Sequence, residues 1–386
     1  MDAFAGRWPG TTRSSSSMRR NPAAPWRHVD LIMLGSIVAI SIIGTIMVFS
    51  ATRGTDPDSV NTATLERHVV FLLTGGTAMV LVSMIDYRRF REWALIGYLG
   101  VCALLVGVVS PLGTEVNGAQ AWFQLGGFQL QPSELSKIAV ILVLASLGAQ
   151  FGGDVDVRRL GVLLAVPGLP LLLIMLQPDP GTAMVIVAIT MGVLLVSNVR
   201  AKHIAALTLL GLTGLVFVLN SGLLEDYQKS RLTVFLNPSA GLREEAYNLN
   251  QSKIAIGSGG VLGKGIFEGT QTQLDIVPEQ HTDFIFTAVG EELGFIGAAT
   301  LLVLFGVLCW RIWRIAQLSR DQLGLLLCVG VLSMIVFQMF QNTGMTMGIM
   351  PITGIPLPLV SHGGSSTIAL FAGLGLVQNV HMRRFS

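Results

Sequence analysis

The sequence predicts an all-α polytopic membrane protein with ten transmembrane helices, both termini in the cytoplasm, and a large, partly ordered extracellular loop between the seventh and eighth helices. Three observations predict it. Of the 386 residues 51% are hydrophobic and only 12% charged, with a mean hydropathy of +0.64. A soluble domain carries roughly 25% charged residues, so a nucleic-acid binder, a disordered scaffold and a water-soluble enzyme are excluded. Ten apolar runs approach the ~20 residues that cross a bilayer. Positive charge alternates in density between successive connections.

The elements follow in chain order. Residues 1–29, with five arginines and the run Ser14–Ser17, read as a disordered basic cytoplasmic tail. The first apolar run is long for a signal-peptide core and lacks a convincing cleavage site, so it reads as a retained helix. Residues 30–386 form one membrane domain with spans near 30–51, 68–85, 92–110, 134–152, 160–176, 183–198, 203–220, 284–310, 323–341 and 365–381. Pro167 and Pro170 interrupt the fifth span, which a membrane helix tolerates when neighbours re-satisfy the freed backbone. With the N-terminus inside, the cytoplasmic segments hold 17 of the 25 Lys and Arg, the outside segments 7, and Lys137 lies within a span. Cys102, Cys309 and Cys328 sit in apolar runs without ligand spacing and read as buried thiols.

Three outside segments carry the polar chemistry. The segment 221–283 is longer than an ordinary connection, and its interleaved aromatic and aliphatic residues argue for order. It holds 5 Lys and Arg against 8 Asp and Glu, so an anion bound there needs particular residues, with Arg231, Lys253 and Lys264 as candidates. A second segment ends in Gln131-Pro132-Ser133-Glu134-Leu135-Ser136-Lys137, a helix start that places Glu134 and Lys137 on one face. Lys137 then lies a turn inside the apolar run, where an ionisable group marks a polar cavity or pathway; an ion pair that only steadies the helix is the plainer alternative. The third, 342–366, has no charge but three prolines and Gly363-Gly364-Ser365-Ser366, the composition of a buried re-entrant segment.

Gly259-Gly260-Val261-Leu262-Gly263-Lys264-Gly265 fails as a nucleotide loop, because Ser258 stands where the first glycine belongs and Gly265 replaces the Ser or Thr. The glycine-rich backbone keeps the potential to cradle an anion. His281, Asp283 and Glu291 lack a recognised metal-ligand spacing. Asp283 stands where the long loop meets the eighth span. It reads either as a helix N-cap or as a carboxylate at headgroup level, suited to accept a proton.

These strings resemble the SEDS family (shape, elongation, division and sporulation). The resemblance rests on Gln251-Ser252-Lys253 through Gly259-Gly260, Gly263-Lys264-Gly265, Gly269-Thr270-Gln271, His281-Thr282-Asp283-Phe284-Ile285-Phe286, Gln177-Pro178-Asp179-Pro180-Gly181-Thr182 and Gly354-Ile355-Pro356-Leu357-Pro358. It runs from about residue 30 to the end and is nearer the RodA-like elongation branch than the FtsW-like division branch. It implies a peptidoglycan glycosyltransferase of the bacterial cytoplasmic membrane, polymerising lipid II on the extracytoplasmic face. A class B penicillin-binding protein and other elongation-complex membrane proteins are the implied partners. Asp283 maps to the family's essential loop aspartate and is expected to serve as general base in an inverting attack by a sugar 4-hydroxyl. Lys137, Glu134, Lys253, Lys264, Arg231, Gln251, Ser252, His281, Thr282, Ser365 and Ser366 are the expected substrate-binding residues. No protein metal site is expected, although a loosely bound Mg²⁺ or Mn²⁺ would suit a pyrophosphate. The rival reading is a lipid II flippase. The chain departs from the family pattern at Ala121, where an Arg is usual, and at His362, where a Tyr is usual.

Overall fold

The computed structural model describes residues 28–384 apart from 54–61, 117–118, 127, 153–154, 221–243, 275 and 278. Arg231, nearly all of the basic tail and the first part of the 221–283 segment therefore lie outside the described residues. Apolar runs become helices because a backbone without water must satisfy its own hydrogen bonds. The sequence folds as α1 (Leu31–Thr52), α2 (Ala63–Met84), α3 (Tyr87–Val109), α4 (Pro132–Phe151), α5 (Val157–Met175), α6 (Pro180–Val196) and α7 (Ala201–Asn220). After them come α8 (Glu244–Ser258), the short α9 (Thr270–Gln273), α10 (Ile285–Glu292), α11 (Gly294–Gln317), α12 (Gln322–Thr346) and α13 (Gly364–Met382).

Among the described residues seven of these helices are long and apolar enough to cross a membrane: α1 to α5, α11 and α12; α6 is apolar but shorter. α4 and α12 are the most enclosed of them, with α6 against α12 and α13 against α2. Many of the other helices carry exposed large apolar side chains, such as Leu73, Ile96, Leu172 and Phe295. Such a surface marks contact with lipid or with a partner protein.

Three features depart from the sequence reading. The expected eighth span breaks into α10 and α11 at Gly294, whose φ of +63° is left-handed. A Cβ there would come 2.2 Å from the Gly263 backbone nitrogen, so two backbones touch where a side chain would separate them. The second outside segment forms an antiparallel sheet, β1 (Thr114–Val116), β2 (Ala119–Leu125) and β3 (Phe128–Leu130). Its short strands fall below what an apolar-run scan detects. Third, α2 starts five residues before the expected span, which puts Arg67 on a helix and not in a connection.

Residues 347–363 are non-helical, yet Ile355, Leu357, Leu359 and Val360 are buried. They pass beside α1 at Gly44, where an added Cβ would lie 2.6 Å from the Val360 Cα. This irregular segment and the ends of α2, α4, α6 and α13 position the site.

Candidate active site

Glu134 and Lys137 face the same side of α4, and the Lys137 Nζ lies 2.6 Å from the Glu134 Oε2. Both side chains are almost completely buried, at 6% and 3% exposure. Asp179 caps α6: its Oδ1 accepts from the Thr182 amide at 2.9 Å and its Oδ2 from the Thr182 hydroxyl at 2.7 Å. The same Oδ2 accepts from Gln131 Nε2 at 3.2 Å, tying the starts of α4 and α6 together. Ser365, on the first turn of α13, donates to the Gln129 carbonyl at 3.0 Å and accepts from the Gln131 amide at 3.0 Å. β3, α4, α6 and α13 are thus joined around one point.

Asp283 follows a tight turn in which the amides of Thr282, Asp283 and Phe284 all donate to the Glu279 carbonyl, at 3.1 to 3.3 Å. Helix α10 begins at Ile285 with Phe284 in the cap position. Asp283 therefore precedes the cap and does not fill it, which removes the N-cap alternative. Its half-buried side chain faces a cavity of about 590 Å³.

That cavity brings together Glu134, Lys137, Thr282, Asp283, Ser365 and Ser366 from the residues expected at the site. Sequence reasoning missed Arg67, Gln131, Asp179 and Gln338, which line it as well. Asp179 had a legible signal, an Asp directly before a Pro that opens an apolar run. Arg67 had none, because the span was begun one residue after it. The N-terminal ends of α4, α6 and α13 all open on the cavity, and α4 and α13 begin without a side-chain cap. Each brings the partial positive charge of a helix N-terminus to the cavity wall.

The other expected residues lie elsewhere. Lys264 Nζ pairs with the buried Glu291 at 2.7 Å and with Thr270 Oγ1 at 2.6 Å. Glu291 also accepts from the amides of Gln271 and Thr272, each at 2.9 Å, so it organises the residues around α9. The glycine-rich run spends its amides internally: Lys264 and Gly265 donate to the Glu291 and Glu292 carbonyls at 3.0 and 3.1 Å. Lys253 and Gln251 lie on α8 outside the cavity lining, with the Lys253 side chain against Gly348. Ser252 is fully buried, bonded to the Thr287 hydroxyl at 2.9 Å and the Thr346 carbonyl at 2.8 Å. The ring of His281 stands behind the wall, 6.0 Å from that of His362. His362 itself lines the cavity beside Phe71. Burial, then the nearby His68, His281 and Arg67, pushes its pKa down to about 4, so the ring is neutral at pH 7. Among the described residues no three His, Cys, Asp or Glu side chains are grouped to hold a metal.

The family model of the FtsW, RodA and SpoVE cell cycle proteins matches residues 30–385. The chain belongs to that family. The peptidoglycan glycosyltransferase MrdB of Escherichia coli (strain K12) is 36% identical over 357 residues, spanning 92% of this chain and 94% of MrdB. The crystal structure of the rod shape determining protein RodA from Thermus thermophilus matches with a TM-score of 0.71 at 31% identity, over 94% of this chain and 99% of RodA. A second solved structure matches with a TM-score of 0.76 at 33% identity, over 92% of this chain and 98% of that one. It is described as showing the structural coordination of polymerization and crosslinking by a peptidoglycan synthase complex. For a FtsW/RodA/SpoVE protein, the two departures at Ala121 and His362 fall on the wall of the same cavity, which Arg67 and Phe71 also line.

Proposed function

We propose that this FtsW/RodA/SpoVE protein is a peptidoglycan glycosyltransferase that polymerises lipid II during cell elongation, with Asp283 as general base. The observation that carries the reading is the cavity. A carboxylate that is not spent on capping faces a space lined by the uncapped starts of α4 and α13, by Arg67 and by the Glu134–Lys137 pair. One side suits an acceptor that loses a proton, the other a leaving group that gains negative charge.

In this mechanism the 4-hydroxyl of one lipid II's N-acetylglucosamine attacks the anomeric carbon of the growing chain's N-acetylmuramic acid. Asp283 takes the hydroxyl proton as the new C–O bond forms, because an alcohol is a weak nucleophile at neutral pH. The bond from the anomeric carbon to the pyrophosphate breaks with its electron pair leaving on oxygen. Attack opposite an α-pyrophosphate inverts the centre to a β-linkage. The N-terminal amides of α4 and α13 and the Arg67 guanidinium receive the charge developing on undecaprenyl pyrophosphate. Lys137 contributes less net charge, since Glu134 neutralises it.

The finer topology belongs to the same proposal. Ten spans with both ends inside place the starts of α4, α6 and α13, and hence the cavity, at the outer face, where Lys and Arg are scarce. A class B penicillin-binding protein is the proposed partner, in keeping with the synthase complex described for the relative above.

The test is purified protein with its partner transpeptidase and fluorescent lipid II, products separated by length on a gel. Wild type gives glycan strands, and Asp283→Ala gives none while remaining folded and partner-bound. Strands from Asp283→Ala would overturn the base assignment. Translocation of lipid II in vesicles without any strands from wild type would favour the flippase.

A further inference from the structure

The peptide segment carrying Asp283 lies between the Glu279 turn and the first turn of α10, and three consecutive carbonyls in it are held from outside. The His281 carbonyl accepts from the His362 amide at 3.0 Å, the Thr282 carbonyl from the Ser361 hydroxyl, and the Asp283 carbonyl from the Asn342 Nδ2 at 2.7 Å. The three donors come from α12 and the irregular 347–363 segment, some 60 to 80 residues further along the chain.

Asn342 is fully buried, and its Nδ2 spends its second proton on the Ile355 carbonyl at 2.8 Å. Its Oδ1, also buried, has no hydrogen-bond partner among the described residues. An unpaired buried acceptor costs about 1–3 kcal/mol. A side chain chosen to fill space would not carry that cost; this one is held for its two donors. Ser361 works in the same way: its hydroxyl accepts from the Leu357 amide at 2.8 Å and passes its own proton to Thr282. The Asp283 carboxylate rests against Gly354, which lines the same cavity and where an added Cβ would lie 3.2 Å from Oδ2. Gly354 has φ +69°, so that wall is bare backbone by conformational necessity.

We propose that Asn342 and Ser361 are positioning residues that aim the Asp283 carboxylate into the cavity by clamping its backbone, with Gly354 as the wall it rests against. The inference rests on the reading of Asp283 as the base. A carboxylate on a non-helical turn can swing with its backbone, and a misplacement of about 1 Å costs about 100-fold in rate. The clamp removes that freedom before substrate arrives.

The experiment compares Asn342→Leu, Ser361→Ala, Gln341→Leu and Asp283→Ala in the full chain with its partner, measuring kcat, KM for lipid II and thermal unfolding. Gln341 is the control: its Nε2 holds the Pro351 carbonyl of the same irregular segment at 2.8 Å, and no carbonyl of 281–283 is its acceptor. The expected result for Asn342→Leu is a fall in kcat of about 100-fold with KM within about 2-fold. Ser361→Ala should lose about 10-fold by the same route, and it decides the matter if Asn342→Leu does not fold. Gln341→Leu should retain kcat per folded molecule. Equal kcat losses in Gln341→Leu and Asn342→Leu, or reduced folded yield with unchanged kcat, would overturn the clamp. If Asp283→Ala is inactive while Asn342→Leu and Ser361→Ala turn over like wild type, the clamp alone fails. If Asp283→Ala itself turns over like wild type, the base reading fails and takes the clamp with it.

Discussion

The pair Glu134–Lys137 separates a structural from a catalytic role most sharply, because both can be removed together. At 2.6 Å and an effective dielectric of about 20, the gross attraction is about 6 kcal/mol. Desolvation of two side chains that are only 6% and 3% exposed offsets much of it. Lys137→Met removes one partner and leaves the Glu134 carboxylate buried without a counter-charge, which costs about 3–5 kcal/mol. Adding Glu134→Leu removes the orphan, and a buried pair replaced by apolar side chains of similar volume is commonly neutral. The double variant should therefore recover the melting temperature lost by Lys137→Met. Activity should not recover, since Lys137 and Glu134 both line the cavity with Asp283. Thermal unfolding in detergent and strand synthesis from fluorescent lipid II, measured on the same preparations, give the two numbers. A double variant that regains both stability and polymerisation would show that the pair only steadies α4.

Two further predictions concern one group away from the cavity and one on its wall. Glu291→Ala should destabilise the protein by about 3 kcal/mol, and should expose the residues around α9 to protease, because Lys264 and two backbone amides lose one acceptor; an unchanged melting temperature would refute its organising role. His362 binds its proton less readily folded, with its pKa near 4, than unfolded, near 6.5. The unfolded chain thus holds more protons between those values, so stability is lost as pH falls from about 6.5 towards 4. His362→Phe should flatten that part of a plot of melting temperature against pH, and an unaltered slope would assign the acid sensitivity to other groups.

Much of the fold was legible because burial in lipid is a local property of a run of residues. Each of the ten apolar runs contains or overlaps a helix, including α5 with Pro167 and Pro170 inside it. Proline was absorbed there as the sequence reading expected. The helix break at Gly294 was not legible, because it depends on the backbone of Gly263 arriving from another part of the chain. Half of the expected site residues share the cavity, and these are mostly residues at helix starts. Lys264 shows one cause of misplacement: a lysine in a glycine-rich run reads as an anion site until a buried Glu291 is found beside it.

By itself the amino-acid order determined the membrane class, the helical runs, the asymmetry of positive charge and the suspicion attached to Asp283, because hydropathy and charge are written residue by residue. Tertiary structure alone decided which polar groups meet. Arg67, Glu134, Asp179, Asp283 and Ser365 are distant in the chain and converge only because several helices end at one level around the same space. It also decided that Asp283 is not a cap, since that turns on where α10 takes its first residue. Periodicity reports which face of a helix is apolar; it carries no information about which other helix end lies opposite, and chemistry between two groups depends on that distance.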